Sequence, residues 1–213
     1  MNLRLTKPHE ANYAQLNVDF EGFSQRSQIL YYDMPQTYGQ MSMLELSIIS
    51  RMAQCMKPKR IFEFGRCDGM TTAQLAASNP EAHIWTLDLP TPMKTYETSN
   101  SAVSHDRWAS MRVSDRITEI LIDSTAFVPT DDMIGTFDVV LIDGGHEWSE
   151  ISADTENAMR MLKAGGLLIW HDYQKRNFPA VTAYLASISD KMDVKWIHSR
   201  ADYLETSIVY SII

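Results

Sequence analysis

Five acidic side chains stand at or near the ends of short apolar runs: Glu63 in IFEFG, Asp88 in HIWTLDL, Asp123 in ITEILID, Asp143 in FDVVLID and Asp172 in LLIWHD. One acid in such a place is unremarkable. Five in register point to a ligand rich in hydrogen-bond donors. A carboxylate accepts two hydrogen bonds side by side, which matches a vicinal diol. The sharpest case is FDVVLIDGGHEW (137–148), where four aliphatic residues stop abruptly at Asp143, two glycines and His146. A buried strand does not end that way without a reason.

The stretch EFGRCDGMTT (63–72) has Gly65 and Gly69 flanking a turn, which allows tight backbone geometry and close approach of a ligand. A dinucleotide fingerprint needs G-x-G-x-x-G with amides on a pyrophosphate. Here the spacing is E-x-G-x-x-x-G, with Cys67 in the middle, a poor pyrophosphate cradle. Glu63 before the glycines suits a ligand carrying an amine; the alternative is an ordinary strand-to-helix turn. Asp88 follows Gly65 by 23 residues, near the interval at which an acid bonds ribose hydroxyls. Its alternative is a turn aspartate before Pro90. Asp123 with Ser124 could meet an adenine edge, or simply make a turn.

These acids need a frame that brings strand ends together. The apolar runs alternate with helical patterns, as in a doubly wound α/β sheet. MSMLELSIISRMAQCM (41–56) has its apolar residues mostly on one helical face, with Ser42 as a cap. MTTAQLAASN forms a helix, SEISADTENAMRMLKAGG a helix closed by Gly165 and Gly166, and 177–190 another. VKWIHS and SIVYSII have only RADYLET between them, too short for a crossover helix, so they pair antiparallel. Residues 90–114 read as loop with some helix, and 1–40 as short helices and loops ahead of a domain spanning 41–213.

Bulk properties exclude several classes. The chain has 213 residues and a formal charge of −8, with its Lys and Arg scattered, which argues against nucleic-acid binding. Two cysteines are too few for a disulfide framework and have no zinc-type spacing. Without a signal-like apolar segment or an 18-residue apolar run, the expected setting is the cytoplasm, away from membranes.

The order EFGRCDG, TLDL, LIDS, FDVVLIDGGH and LKAGGLLIWHDY resembles class I S-adenosylmethionine-dependent methyltransferases. Within them it is similar to metal-dependent small-molecule O-methyltransferases of catechol and antibiotic-sugar type. The resemblance runs from about residue 40 to the C-terminus and implies a Rossmann-like seven-stranded sheet, mostly parallel with an antiparallel last strand. It implies that Glu63 and Gly65 line the cofactor's methionine end, with Arg66, Asp68, Gly69 and Thr71 completing the turn. Asp88 and Leu89 would take the ribose, and Asp123 and Ser124 the adenine, with Asp143 also among the cofactor-binding residues.

The same resemblance implies a divalent cation, Mg²⁺ in the first instance, held by Asp143, His171 and Asp172. Catechol-type relatives carry Asp-Asn where this chain has His171-Asp172, and imidazole tilts preference towards Mn²⁺, Fe²⁺ or Zn²⁺. His171 not being a ligand is the alternative. His146 falls where those relatives place a lysine base, and a histidine titrates near neutral pH; otherwise it stacks on Trp148 or caps the next helix. Trp148, Trp170, Tyr173 and the segment 31–41 either wall an acceptor pocket or pack the core. The expected partner is a small hydroxylated acceptor, sugar-like or phenolic, with a homo-oligomer left open. Rival readings are a cofactor-binding protein without turnover, a hydroxylase-like relative and a nicotinamide-dependent oxidoreductase.

Overall fold

Strand periodicity decides which side chains meet which helices. In β1 (Arg60–Phe64), β4 (Phe137–Ile142) and β5 (Leu162–Trp170), neighbouring residues point to opposite sides of the sheet. Ile61, Val139, Leu141, Leu167 and Ile169 pack with Leu46 and Ile49 of α1 (Met43–Met56) and Leu75 of α2 (Met70–Ser78). Phe62, Phe64, Val140, Ile142, Leu168 and Trp170 pack with Ile151 of α3 (Trp148–Met161) and Leu185 of α4 (Pro179–Ile188). Burying each such side chain contributes about 1.5–3 kcal/mol, so the sheet is held from both sides.

The computed structural model describes residues 40–90, 108, 112–197 and 206–213. The expectations for 1–39, and for most of 90–114, lie outside the described residues. With β2 (His83–Asp88), β3 (Ile117–Leu121), β6 (Lys195–Trp196) and β7 (Val209–Ile212), the sheet has seven strands in the order β3-β2-β1-β4-β5-β7-β6. β1 to β5 are parallel to one another, and β7 runs antiparallel to both β5 and β6. This is the doubly wound, Rossmann-like sheet expected from the alternation. Its strand order reverses between β1 and β4, and ligands of such sheets bind at the carboxyl ends beside that point. Among the described residues, no helix is long and apolar enough to cross a membrane.

One boundary differs from the sequence reading. α3 ends at Met161 rather than at the glycine pair, because Leu162 is already extended (φ −70°, ψ 143°) and pairs with Phe137 at the start of β5. LKAGG is therefore the first half of a strand, with Gly165 in the left-handed region. Elsewhere a long-range contact adds to the local cap that Asn79 makes on the Leu75 carbonyl. The α2 C-terminus is closed by Arg116, whose guanidinium donates to the carbonyls of Ala76, Asn79 and Ala82 at 2.8–3.1 Å. Carbonyls at a helix end lack a partner within the helix.

Candidate active site at the carboxyl ends of the strands

The β1–α2 turn sits where β1 and β4 diverge. Asp143 N–H donates to the Phe64 carbonyl and Gly65 N–H to the Leu87 carbonyl, each at 2.8 Å, so three strand ends are tied at one point. Gly65 has φ +88° and Gly69 φ +84°. Asp68 is buried and accepts from Met70 N–H at the start of α2 and from the Gln40 amide. Thr71, in the first turn of α2, is also buried. Asp88 closes the opposite side: its carboxylate accepts from Cys67 N–H (2.9 Å) and Leu89 N–H (2.7 Å). Arg66 lies 3.9 Å from Asp88, pairs with Glu119 at 2.6 Å and sits over the Trp108 ring. Both cysteines are free thiols.

Glu63 is placed deeper than a ligand-lining residue. It is 0% exposed, on the α2 side of β1, where Thr72 and Thr86 hydroxyls both donate to its Oε2. Oε1 makes no hydrogen bond. Burial, with the Asp143 and Asp88 charges adding, outweighs the threonine bonds and pushes its pKa up to about 8. Between about 4.5 and about 8 the folded protein holds a proton at Glu63 that the unfolded chain has released, so this contribution to stability falls as pH rises through that window. Each pH unit within it is worth about 1.4 kcal/mol, a few kcal/mol in all. Glu63→Gln, neutral at every pH, is expected to gain stability relative to wild type as pH is raised from 5 to 8.5. Differential scanning calorimetry at the two pH values checks this, and parallel melting shifts would contradict it.

Asp123 does not face inward. Its Oδ1 accepts from Thr125 N–H and Oγ1, which caps a short 3₁₀ turn (Ser124–Ala126) and holds its pKa low. The acid inside this corner is Asp154 of α3, fully buried. Burial pushes its pKa up to about 7, with the Glu150 and Asp123 charges adding, and neither of its carboxylate oxygens has a hydrogen-bond partner among the described residues. No sequence signal separated Asp154 from the polar residues of its helix.

The second group gathers at the ends of β4 and β5. His171 and Asp172 are adjacent, and continued strand geometry would send them to opposite faces. Asp172 instead adopts φ +64°, a conformation that aspartate tolerates better than most residues, and both side chains meet Asp143. His171 Nδ1 lies 2.9 Å from Asp143 Oδ1 and 3.1 Å from Asp172 Oδ1. Asp172 Oδ1 also receives Lys175 at 2.7 Å, and Oδ2 receives His146 Nε2 at 2.7 Å. His146 stacks flat on Phe178, with ring centroids 3.6 Å apart. Trp148 is not its partner; that ring meets Tyr184 edge-on, while Trp170 and Tyr173 are core residues. Lys175 and Phe178 gave no signal in the sequence, since both lie in a loop.

Charge decides how this cluster behaves. Burial alone would lower the His171 pKa, but Asp143, Asp172 and Glu45 outweigh it and hold it well above its ordinary value. Asp172 is likewise held low, burial being overcome by His146, His171 and Lys175. One ligand atom each from Asp143, His171 and Asp172 lies within 4.8 Å of the other two. Two carboxylates and an imidazole at that separation fit a divalent cation, whose binding would displace the His171 proton. Asp143, His146, His171 and Asp172 line one small concavity with Gly144 and Gly145.

A family model described as a methyltransferase domain matches residues 62–173. No curated protein matches the chain in sequence. Several solved structures share the fold. The O-methyltransferase of tomaymycin synthesis from Streptomyces achromogenes, in complex with SAM, is 15% identical, with TM-score 0.62 over 82% of this chain and 81% of that one. An O-methyltransferase from Bacillus cereus in complex with SAH is 14% identical, with TM-score 0.59 over 83% and 84%. A TDP-rhamnose 3′-O-methyltransferase of calicheamicin biosynthesis is 17% identical, with TM-score 0.56 over 80% and 79%.

Proposed function

The chain belongs to the methyltransferase-domain family, and from that premise we propose that it methylates a hydroxyl oxygen of a small acceptor, using S-adenosylmethionine and a divalent cation. The observation that carries this reading is the convergence of Asp143, His171 and Asp172 within 4.8 Å, beside the glycine turn of β1. Asp143, His171 and Asp172 would hold the cation, which when bound favours the ionised form of the acceptor hydroxyl. His146 is the base. Its Nε2 lies 2.7 Å from Asp172 Oδ2; with the proton on Nε2 the lone pair is on Nδ1, the arrangement in which a carboxylate orients an imidazole. Phe178 fixes the ring plane. The acceptor's proton passes to His146 Nδ1 and its oxygen forms the new C–O bond. The C–S bond breaks with its electron pair going to sulfur. In-line placement of oxygen, methyl and sulfur supplies most of the rate.

On the cofactor side, Asp88 serves the ribose. Its two oxygens are oriented by Cys67 N–H and Leu89 N–H, and a carboxylate's pair of acceptors matches a vicinal diol. Gly65, Arg66, Asp68, Gly69 and Thr71 shape the wall towards the methionine end, and Ser124 the adenine end. Glu63 braces that wall from beneath. Asp88→Ala is expected to weaken S-adenosylhomocysteine binding by about 10- to 100-fold, the equivalent of about one hydrogen bond to a charged group. Isothermal calorimetry reads this directly, and unchanged affinity removes the ribose assignment.

The class is tested by titrating S-adenosylhomocysteine and, separately, NAD into the protein in Mg²⁺ and then in EDTA. Binding of the homocysteine nucleoside alone supports the proposal; binding of NAD alone replaces it with an oxidoreductase. A cation-free version of the same chemistry has one observation behind it: both Asp172 oxygens already receive cationic or imidazole donors. Turnover that survives EDTA would select that version.

A further inference from the structure

Glu45 is a buried acid that the proposed chemistry leaves unused, in the first turn of α1 with its side chain in the protein interior. Its two oxygens do different things. Oε2 completes a capping box, accepting from Ser42 N–H and Ser42 Oγ at 3.2 and 2.8 Å. Oε1 plays no part in that box. It accepts from Ser207 N–H and Ser207 Oγ, both at 2.7 Å, and lies 3.5 Å from His171 Nε2. His171 Nε2 is itself buried without a hydrogen bond of ordinary length, and Nδ1, on the other side of the ring, faces Asp143 and Asp172.

A capping box is served equally well by glutamine, so capping does not explain a buried carboxylate. A buried charge is costly unless a partner needs it. An imidazole that ligates a metal through one nitrogen regularly donates its other N–H to a carboxylate, which fixes tautomer and ring orientation. Ser207 N–H and Oγ also donate to Oε1, a structural tie between α1 and the chain entering β7.

We infer that Glu45 is the positioning residue of the cation site, accepting the Nε2–H of His171 so that Nδ1 presents its lone pair between Asp143 and Asp172. This rests on the cation reading above. It also explains why the site can use histidine at this position: α1, from outside the strand ends, brings the acid that orients it.

The test uses the full chain and Mn²⁺ as probe, with free ion followed by electron paramagnetic resonance and thermal melting recorded for each variant. Glu45→Gln keeps the size and the capping oxygen but loses the charge opposite Nε2. Ser207→Ala loosens the same structural joint while leaving the carboxylate facing His171. The expected result is a Mn²⁺ dissociation constant raised about 10- to 100-fold in Glu45→Gln and close to wild type in Ser207→Ala, even where both melt earlier. In the metal-free protein, the ¹⁵N resonances of the His171 ring are expected to shift in Glu45→Gln alone.

Folded Glu45→Gln that binds Mn²⁺ as wild type does overturns the inference. Wild type that binds no Mn²⁺ overturns the cation reading itself, and the positioning role falls with it. Should Glu45→Gln not fold, Glu45→Asp withdraws the carboxylate by one methylene, and wild-type Mn²⁺ affinity there overturns the inference equally.

Discussion

Asp143→Ala is expected to lower turnover on the order of 10³-fold, since on the proposed mechanism several kcal/mol of transition-state stabilisation come from the cation and each 1.36 kcal/mol is tenfold in rate. Affinity for S-adenosylhomocysteine is expected to stay near wild type. The contrast follows from geometry. The Asp143 main chain ties β4 to β1 through the Phe64 carbonyl, and alanine keeps that bond. The side chain points instead to His171 Nδ1 at 2.9 Å. Removing it takes away a proposed cation ligand and an acid that balances the His171 charge. Asp143→Asn separates the two losses: it keeps an oxygen for the imidazole but not the negative charge. Release of S-adenosylhomocysteine over a panel of phenols and sugars measures turnover, and calorimetry measures cofactor affinity. Wild-type turnover in Asp143→Ala would remove both the cation and the role of this acid.

What could be read from the sequence was whatever is encoded by local period. The runs ending in Glu63, Asp88, Asp143 and Asp172 are strands because β-branched and aromatic residues fill a sheet buried on both faces. Their acids gather because parallel strands present the same end to one crevice. The reading weakened where a residue's neighbours come from elsewhere in the chain. LKAGG looks like a helix end until Phe137 is known to pair with Leu162. Glu63 looked like a ligand residue because one sequence does not reveal Thr72 and Thr86 closing over it. His146 stacks on Phe178, 32 residues away, rather than on nearby Trp148. Glu45 was hidden for the same reason, its partners Ser207 and His171 lying far along the chain. The exception is Ser42-x-x-Glu45, a capping-box spacing readable locally, although it names only one of the two jobs that Glu45 does.

Gly65→Ala is expected to cost about 3–5 kcal/mol of stability, the range of the most damaging single substitutions, and to abolish cofactor binding in whatever protein folds. Two separate penalties act at this position. Its φ of +88° lies in the region where a side chain on an L-residue is strained. A Cβ there would also stand 2.0 Å from the Asp143 carbonyl oxygen and 2.5 Å from Gly144 Cα. Those are main-chain atoms, so no side-chain rotation relieves the overlap; either the turn or the end of β4 must move. Both carry the proposed site, the turn through the Cys67 N–H bond to Asp88 and β4 through the Asp143 carboxylate. Gly135 is the internal control. It also has positive φ (+63°), but a Cβ there meets nothing within 4 Å, so Gly135→Ala carries only the conformational penalty, about 1–2 kcal/mol. Chemical denaturation of the two variants separates strain from collision. Equal losses would mean that the close approach of β4 to Gly65 is not what the glycine serves.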